Sequence, residues 1–257
     1  MKSNISSRKK SAIFIDIDET LTHVRSDTHR FKRLDLQNDK ENFDLLERCY
    51  IMSFKGENQK QEHMWGIKRP YLDEFIRYCR KRFDIVALYT AGMKDYGEQS
   101  AKILFPSVGD LDYIYTREHC VDIERSIPSW EEDDSGKLVC STTVVMDHVK
   151  PLGKLLKEMP ELADVDPQKV LMVDNKESNF DYNVHLGLTI SDYVPEATIE
   201  SIRYDDRALL HMIDTIEKRI EKFDVSRVHV KVSDKRPSNW FIGMIPDLSF
   251  IYDLVPF

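Results

Sequence analysis

Short apolar segments rich in β-branched residues alternate along this chain with segments whose apolar residues repeat at helical spacing. The strand-like segments are SAIFIDID (11–18), DIVALYT (84–90), DYIYT (112–116), KVLMVD (169–174) and LTISD (188–192). Helical apolar stripes run through residues 72–83, 152–159 and 209–223. Strands that alternate with amphipathic helices predict a three-layer α/β fold, with helices on both faces of a mostly parallel sheet.

Two carboxylates close the first of these apolar segments. Because side chains alternate faces along a strand, Asp16 and Asp18 share one face. The opposite face is lined by Ile13, Ile15 and Ile17. Burying a carboxylate without a partner costs several kcal/mol or forces it to bind a proton. A strand that keeps both acids therefore needs a cation, a cage of hydrogen-bond donors or water beside it.

Other predicted strands also end in polar side chains. Thr90 follows the second strand, Asp174 and Asn175 end the fourth, and Lys150 precedes a predicted helix. In a parallel sheet the carboxyl ends of the strands meet in one crevice, which is where such folds bind ligands. We therefore expect these four side chains to converge with the acidic pair.

Clustered aspartates indicate a site for a hard cation. Mg²⁺ prefers one or two carboxylates, water and a substrate phosphate to a closed protein cage. Phosphoryl transfer needs little beyond positioning and neutralisation of the transferred group, which Mg²⁺, Lys150 and the Thr90 hydroxyl can supply together. A carboxylate can then attack phosphorus as the nucleophile. The acidic strand end therefore predicts a magnesium-dependent phosphoryl-transfer site.

The ordered motifs also carry a resemblance to a known group of enzymes. DIDETLTH (16–23), LYTAG (88–92), HVKPL (148–152) and LMVDN (171–175) resemble the four motifs of haloacid dehalogenase (HAD) superfamily phosphatases. IKRPYLDEF (67–75), YTREHC (115–120) and YDDRALLHMID (204–214) are similar to the branch of small RNA polymerase II C-terminal-domain phosphatases, which is the NLI-interacting-factor-like branch. The resemblance covers roughly residues 11–223 and implies a Rossmann-like HAD sheet.

The resemblance implies a role for each motif residue. Asp16 becomes phosphorylated, while Asp18 protonates the leaving oxygen and later deprotonates the hydrolytic water. Thr90 and Lys150 hold the phosphoryl oxygens. The implied Mg²⁺ ligands are Asp16, the Asp18 backbone carbonyl, Asp174 and, through water, Asn175. A neighbouring carboxylate in a partly dry site should raise the pKa of Asp18, which suits its role as an acid.

Two segments interrupt the alternation of strands and helices. Residues 24–69 are charged and polar, and CYIMSF and EHMWGI flank KGENQKQ there, which predicts a hairpin inserted after the first strand. Residues 123–145, around SWEEDDSGK, are predicted to form a second, smaller hairpin. The expected organisation is a polar tail over 1–10, a phosphatase core over 11–223 and a C-terminal extension over 224–257. For that extension, packing on the core is favoured over docking to a partner or a membrane surface.

Composition narrows the classes of partner and compartment. The chain has 257 residues and a net charge of -8, which gives no general reason to bind nucleic acid or an anionic membrane. Its four cysteines are far apart, which favours a reducing compartment over a zinc site or a disulfide framework. The sequence shows neither a signal-peptide pattern nor an apolar run of membrane-spanning length, so we expect an intracellular protein, cytoplasmic or nuclear.

The insertions bear on the substrate. Neither is long enough to fold as a separate lid domain, so the crevice is expected to be open. An open crevice favours a phosphorylated protein side chain. The resemblance implies phosphoserine or phosphothreonine first, with phosphotyrosine as a close rival because the insertions diverge from the family. The alternatives are a HAD phosphatase of small metabolites and a catalytically weak scaffold that binds phosphopeptides.

Overall fold

A computed structural model describes residues 9–26, 34, 36, 38–56, 59–107, 109–132, 138–180 and 184–223 of the chain. The predictions for most of the N-terminal tail and for the extension over 224–257 lie outside these residues. Within the described ranges, no helix is both long and apolar enough to cross a membrane.

Strands and helices follow one another along the described chain. The strands are β1 (Lys10–Ile15), β2 (Thr22–Arg25), β3 (Cys49–Lys55), β4 (Gln61–Lys68), β5 (Ile85–Tyr89), β6 (Tyr113–Tyr115), β7 (Val121–Glu132), β8 (Leu138–Val149), β9 (Val165–Asp174) and β10 (Gly187–Thr189). The α-helices are α1 (Leu72–Arg82), α2 (Lys94–Leu104), α3 (Leu152–Glu158), α4 (Ile199–Arg203) and α5 (Ala208–Phe223).

Five parallel strands form the central sheet, in the order β10-β9-β1-β5-β6. The chain first adds β5 and β6 on one side of β1 and later adds β9 and β10 on the other side. The strand order therefore reverses at β1. In open α/β sheets, the crevice outside the strand ends at such a reversal is where ligands bind.

Helices cover both faces of this sheet. Ile13 and Ile15 of β1 pack with apolar residues of α1, α2 and α5. Ala12 and Phe14 of the same strand pack with apolar residues of α3. All four side chains are fully buried, as expected for a central strand. The predicted three-layer α/β class, with a mostly parallel sheet, is confirmed.

The helix beginnings follow the sequence signals in part. Asp205 and Asp206 are capping candidates by sequence, and the Asp206 carboxylate accepts a hydrogen bond from the Ala208 backbone N–H at 2.8 Å, so it caps α5. Proline suits the first turn of a helix, so the sequence predicts Pro70 in the first turn of α1, but Pro70 precedes the helix, which begins at Leu72. Tyr71 separates the two with a φ of 63°, a left-handed conformation that reverses the chain before the helix begins.

The first insertion forms a three-stranded antiparallel sheet in the order β2-β4-β3. CYIMSF and EHMWGI lie on β3 and β4, which pair as a hairpin. β2 pairs with the other edge of β4. The sequence predicts only the hairpin, because β2 has four residues, which overlap the end of the motif DIDETLTH and are too few to show an alternating pattern.

The second insertion is a hairpin of β7 and β8, paired from Val121–Val149 at its base to Glu132–Leu138 at its tip. Each strand has 12 residues, compared with 7 in β3 and 8 in β4. The prediction that this hairpin is the smaller one is therefore wrong. Pairing continues beyond residues 123–145 because Val149 is buried and anchors the base.

Candidate active site

Strand β1 brings the acidic pair to the point where the strand order reverses. The backbone N–H of Asp16 still pairs with β9, at 2.9 Å. The chain then turns, and the Leu21 N–H donates to the Ile17 carbonyl at 2.9 Å. Glu19 lies in this turn with a φ of 56°. The turn, hereafter the β1 turn (residues 17–21), fixes Asp18 next to the end of the sheet.

Lys150, which follows β8, joins carboxylates from two neighbouring strands. Its ammonium donates hydrogen bonds to Asp16 and, at 2.7 Å, to Asp174 at the end of β9. All three side chains are buried. Asp174 also accepts hydrogen bonds from the Asn179 side-chain amide and from the Lys176 backbone N–H, both at 2.8 Å. Three of the predicted site residues therefore meet in one buried cluster.

Asp18 faces helix α2 and the loop after β5. The Tyr96 hydroxyl on α2 donates a hydrogen bond to its carboxylate. The Thr90 hydroxyl lies close enough to the same carboxylate to lower the pKa of Asp18. Thr90 is fully buried, and its Oγ1 accepts a hydrogen bond from the Gly92 N–H at 2.9 Å. The structure thus places Thr90 beside Asp18, at the end of the strand adjacent to β1.

Asn175 connects two loops at the rim of the crevice. Its backbone N–H donates to the Thr20 hydroxyl at 3.2 Å. Its side-chain amide donates to the Asp192 carboxylate at 3.0 Å. Thr20 is fully buried, so its contact with Asn175 ties the β1 turn to the end of β9. Asn175 is thereby held next to Asp174.

A cavity of about 380 Å³ opens over these groups. Five of the predicted site residues line it, namely Asp16, Asp18, Lys150, Asp174 and Asn175. Met146, Asp147 and His148 of β8 also line it. Thr90 contacts Asp18 but is not part of the cavity wall. The hairpin β7-β8 therefore supplies part of the wall of the candidate active site.

Positive charge is scarce in this cluster, since one ammonium faces three carboxylates. Burial and the nearby Asp174 raise the pKa of Asp16 from 3.8 to about 8, although Lys150 opposes the shift. Burial likewise raises the pKa of Asp18, against hydrogen bonds that lower it. Burial lowers the pKa of Lys150, but the two carboxylates outweigh burial and raise it. Because one ammonium cannot balance three ionised carboxylates, the cluster retains protons near neutral pH.

Arg69, to which no role is assigned from sequence, holds the backbone of the β1 turn in place. It is almost fully buried and donates to the carbonyl oxygens of Thr20 and Glu19, at 3.1 and 3.4 Å. It also pairs with Asp206 at 3.0 Å and donates to the Ser191 hydroxyl at 3.1 Å. Its segment, IKRPYLDEF, contributes to the family resemblance, but no local pattern distinguishes a buried arginine from an exposed one.

Tyr96 and Asn179 also belong to the site and are missed from sequence. Tyr96 lies on α2, which has no continuous apolar stripe by which it could be recognised. Asn179 lies in a short 3₁₀ turn, Glu177–Phe180, just after β9. Its Oδ1 is buried and has no hydrogen-bond partner among the described residues. The only available signal for Asn179 is its closeness in sequence to Asp174.

The chain matches a known family model over most of its length. A model described as NLI interacting factor-like phosphatase matches residues 11–227. The chain belongs to this family. The predicted membership of a HAD-type phosphatase family is thereby confirmed, and the match covers the central sheet, both insertions and every predicted site residue.

Individual named proteins are also similar to this chain. Nuclear envelope morphology protein 1 of Saccharomyces cerevisiae is 24% identical over 232 residues, which cover 88% of this chain and 43% of that protein. The structure of the fission yeast RNA polymerase II CTD phosphatase Fcp1-R271A bound to beryllium fluoride has a TM-score of 0.51 at 19% identity, covering 85% of this chain and 52% of that one.

A second Fcp1 structure, of an essential RNA polymerase II CTD phosphatase, has a TM-score of 0.51 at 18% identity and covers 85% of this chain and 50% of that one. The chain thus spans about half the length of the relatives it matches. At these identities, the structural likeness supports the fold.

The donor atoms in the NLI interacting factor-like site suit a hard divalent cation. Asp16 and Asp174 converge on one ammonium, and the Asn179 Oδ1 is a further buried oxygen without a partner among the described residues. These residues contain no group of three or more His, Cys, Asp or Glu side chains arranged as a metal site. Mg²⁺ does not require one, because it completes its shell with water and phosphate oxygens. The residues present therefore fit Mg²⁺.

Proposed function

We propose that this protein is a Mg²⁺-dependent phosphoprotein phosphatase that works through an aspartyl-phosphate intermediate. One observation carries the proposal: the Lys150 ammonium contacts Asp16 and Asp174 at the reversal of the sheet, under an open cavity. Membership of the NLI interacting factor-like phosphatase family supports the chemistry. The roles of the individual residues follow from their contacts.

In the first step, a carboxylate oxygen of Asp16 attacks phosphorus, and the bond between phosphorus and the leaving oxygen breaks. Lys150 favours the ionised form of Asp16 and can donate hydrogen bonds to the phosphoryl oxygens. Asp18 gives its proton to the leaving oxygen and becomes a carboxylate. The raised pKa of Asp18 supports this step because it favours the protonated acid.

In the second step, the Asp18 carboxylate takes a proton from a water molecule, whose oxygen attacks phosphorus. The bond between phosphorus and Asp16 breaks, inorganic phosphate leaves, and both aspartates return to their initial state. A hydrogen bond from Tyr96 orients Asp18 for both transfers. One side chain thus acts first as the acid and then as the base.

The metal ligands would be Asp16, the Asp18 carbonyl and Asp174, with Asn175 acting through water. Bound Mg²⁺ neutralises charge on the transferred group and supplies the positive charge that the carboxylate cluster lacks. Lys176 and Asn179 hold Asp174 in place from the side of β9.

A phosphorylated protein side chain is the proposed substrate. The cavity of about 380 Å³ is bounded by strand ends, by the β1 turn and by the base of the β7-β8 hairpin. The Fcp1 relatives are described as RNA polymerase II CTD phosphatases, which supports phosphoserine or phosphothreonine first and phosphotyrosine second. All four cysteines are free thiols, which supports an intracellular site of action.

Turnover of an aryl phosphate with Mg²⁺ and with EDTA tests the chemistry, using the wild-type protein beside Asp16→Asn. We expect activity only with Mg²⁺ and a loss of at least a thousandfold in the variant. Asp73→Asn, an exposed change on α1, is the control and should retain activity. Turnover that survives in Asp16→Asn would refute the aspartyl-phosphate.

A second measurement looks for the intermediate itself. In Asp18→Asn the base for hydrolysis is missing, whereas an aryl phosphate has a good leaving group and needs little help from an acid. The phosphorylated protein should therefore accumulate and be cleaved by hydroxylamine. Higher kcat/KM on sugar or nucleotide phosphates than on phosphopeptides would instead indicate a metabolite phosphatase, and binding of phosphopeptides without turnover would indicate a scaffold.

A further inference from the structure

The base of the β7-β8 hairpin belongs to the catalytic cavity, and the rest of the hairpin leads away from it. Met146, Asp147 and His148 of β8 line the cavity. The Lys176 ammonium donates to Asp147 at 2.5 Å and so ties the hairpin to the end of β9. Arg125 of β7 also pairs with Asp147, at 2.8 Å. The hairpin is therefore firmly joined to the wall of the site.

One edge of this hairpin is suited to pairing with another strand. In the described part of the chain, β8 pairs only with β7. Its residues 138–146, LVCSTTVVM, include no charged residue, proline or glycine. β7 carries Glu124, Arg125 and Pro128, which discourage pairing. An unprotected edge strand offers free backbone N–H and C=O groups to an incoming strand, so β8 is the edge able to accept one.

One face of the hairpin presents large apolar side chains to solvent. The strand register places Trp130, Leu138, Val144 and Met146 on this face. Their exposed fractions are 66, 60, 61 and 57%, respectively. Residues 138–146 extend over roughly 30 Å at about 3.3 Å per residue. Several large apolar side chains exposed on one face of a hairpin are typical of an interaction site.

The position of Met146 indicates what covers this face. Met146 belongs both to the apolar face and to the wall of the catalytic cavity. A strand paired with β8 would therefore run directly into the cavity, and every second side chain of that strand would stand beside the apolar side chains of β8. Glu124 is exposed on the same face near its base, next to Asp122, which pairs with His148 at 2.6 Å, and this acidic end favours a basic residue close to the phosphorylated one. A phosphorylated polypeptide in extended conformation meets all of these conditions.

We propose that β8 is the docking edge for the protein substrate, which adds to it as a β-strand and places alternate apolar side chains beside Leu138, Val144 and Met146 of β8. The inference rests on the proposed phosphatase function and specifies its substrate. In strand addition, main-chain hydrogen bonds provide affinity, and contacts of alternate side chains provide specificity. The substrate is therefore an unstructured segment with apolar residues at every second position beside the phosphorylated residue.

The first test uses the wild-type protein and a peptide of 12 residues with one phosphoserine, alternating valines on one side of it and one lysine nearby. Single backbone N-methyl groups are introduced in turn along the valine segment. Only every second N–H of a strand faces its neighbour, so we expect kcat/KM to fall about tenfold at alternate positions and less than twofold at the positions between. A uniform effect, or none, overturns the proposal.

The second test changes the protein. Val144→Lys places a charge on the apolar face, whereas Thr143→Lys places the same charge on the opposite face of β8 and is the matched control. Val144→Lys should raise KM for the peptide about tenfold and leave kcat and aryl phosphate turnover unchanged. Thr143→Lys should change KM less than twofold. Circular dichroism establishes that both variants are folded.

Binding separates failure of the docking proposal from failure of the proposed function. The same peptide, carrying a fluorescent label, is titrated against Asp16→Asn with and without Val144→Lys and followed by anisotropy. A tenfold loss of affinity supports docking on β8 even if no phosphate ester is hydrolysed. Unchanged affinity, with aryl phosphate turnover intact, overturns docking and leaves the phosphatase proposal standing.

Two other occupants of β8 give distinct results. A dimer seen by sedimentation, dissociated by Val144→Lys without any change in peptide binding, would assign the edge to a second copy of the chain. Binding to phosphatidylcholine vesicles that Val144→Lys abolishes, again with peptide binding unchanged, would assign the apolar face to a membrane. Either result overturns the proposal.

Discussion

The Tyr96 hydroxyl donates a hydrogen bond to the Asp18 carboxylate, the group to which we assign both proton transfers. Tyr96 is buried, and burial together with the charge of Asp18 raises its pKa well above the usual value. The phenol therefore remains a donor throughout the working pH range. Its hydrogen bond stabilises the ionised form of Asp18 and partly offsets the effect of burial on the Asp18 pKa.

Tyr96→Phe is expected to shift the alkaline limb of the pH profile to higher pH. Loss of the donor removes an interaction that lowers the Asp18 pKa, so Asp18 keeps its proton to a higher pH. An acid works only while protonated, which gives the direction of the shift. We also expect kcat to fall about tenfold, because Asp18 loses an orienting contact. The measurement is kcat/KM against pH with a phosphopeptide.

Tyr78→Phe is the matched control for this change. The Tyr78 hydroxyl donates to Glu217 at 2.9 Å, away from the crevice. Its removal should leave the profile unmoved. A shift of the Tyr96→Phe profile to lower pH would contradict the assignment of Asp18 as the acid.

Lys150→Met should destabilise the metal-free protein by about 3–5 kcal/mol, which is typical when one partner of a buried ion pair is removed. Asp16 and Asp174 would then face each other without an ammonium between them. Mg²⁺ should restore part of this loss, because it supplies positive charge at the same carboxylates. The measurement is urea unfolding with EDTA and with Mg²⁺.

Lys154→Met provides the comparison on the neighbouring helix α3. Lys154 is exposed and pairs with Glu158 only at 3.9 Å, so its loss should cost less than about 0.5 kcal/mol. If the two variants had equal stability, Lys150 would not hold the carboxylate cluster together.

The central sheet and most of its crevice are predictable from sequence, because each strand is a short apolar run that ends in a polar residue. Asp16 and Asp174 follow this rule, and the parallel sheet brings both to Lys150. The rule needs no tertiary information, since parallel strands present their carboxyl ends at one edge. The capping aspartate of α5 is equally local.

Helix α2 is not predicted from the sequence pattern because its buried face contains small residues. Gly97 and Ser100 face the sheet, and a Cβ at Gly97 would lie 2.9 Å from the Thr116 side chain. The position of this helix depends on the close approach of its small residues to their neighbours and not on an apolar stripe. Tyr96 could therefore not be assigned to the site from sequence. The length of β8 is not predicted either, because its run of serine, threonine and valine lacks an alternating pattern.

Arg69→Met should destabilise the protein by about 3–5 kcal/mol and reduce kcat more than it raises KM. The Arg69 guanidinium holds the carbonyl oxygens of Thr20 and Glu19, so its loss frees the turn that positions Asp18. Arg69→Lys keeps the charge but cannot make the forked contacts and should recover only part of the stability. Urea unfolding and aryl phosphate kinetics measure both effects.

Arg77→Met is the control for Arg69, because Arg77 is exposed on α1, where it pairs with Glu74 at 3.7 Å and donates to the Asp73 carbonyl oxygen at 3.2 Å. It should change stability by less than about 0.5 kcal/mol. A fall in stability for Arg69→Met with unchanged kcat would show that the arginine supports the fold without positioning the β1 turn for catalysis.

Asp16→Asn should make the metal-free protein more stable relative to wild type as pH rises. Asp16 releases its proton near 3.8 when unfolded but holds it to about 8 when folded, chiefly because it is buried. Between these values the folded state binds one proton more, so the free energy of unfolding of the wild type falls by up to about 1.4 kcal/mol per pH unit. The asparagine does not titrate and avoids this loss.

Urea unfolding of both proteins in EDTA, from pH 5 to 8.5, measures this difference, with Asp73→Asn as a control that should track the wild type. Added Mg²⁺ should reverse the order at high pH, because the ion stabilises the ionised Asp16 that the variant lacks. A difference that stays constant across the range would show that Asp16 is already ionised in the folded protein without metal. In that case Lys150 alone would balance the cluster, and the electrostatic argument for a divalent cation at this site would lose its basis.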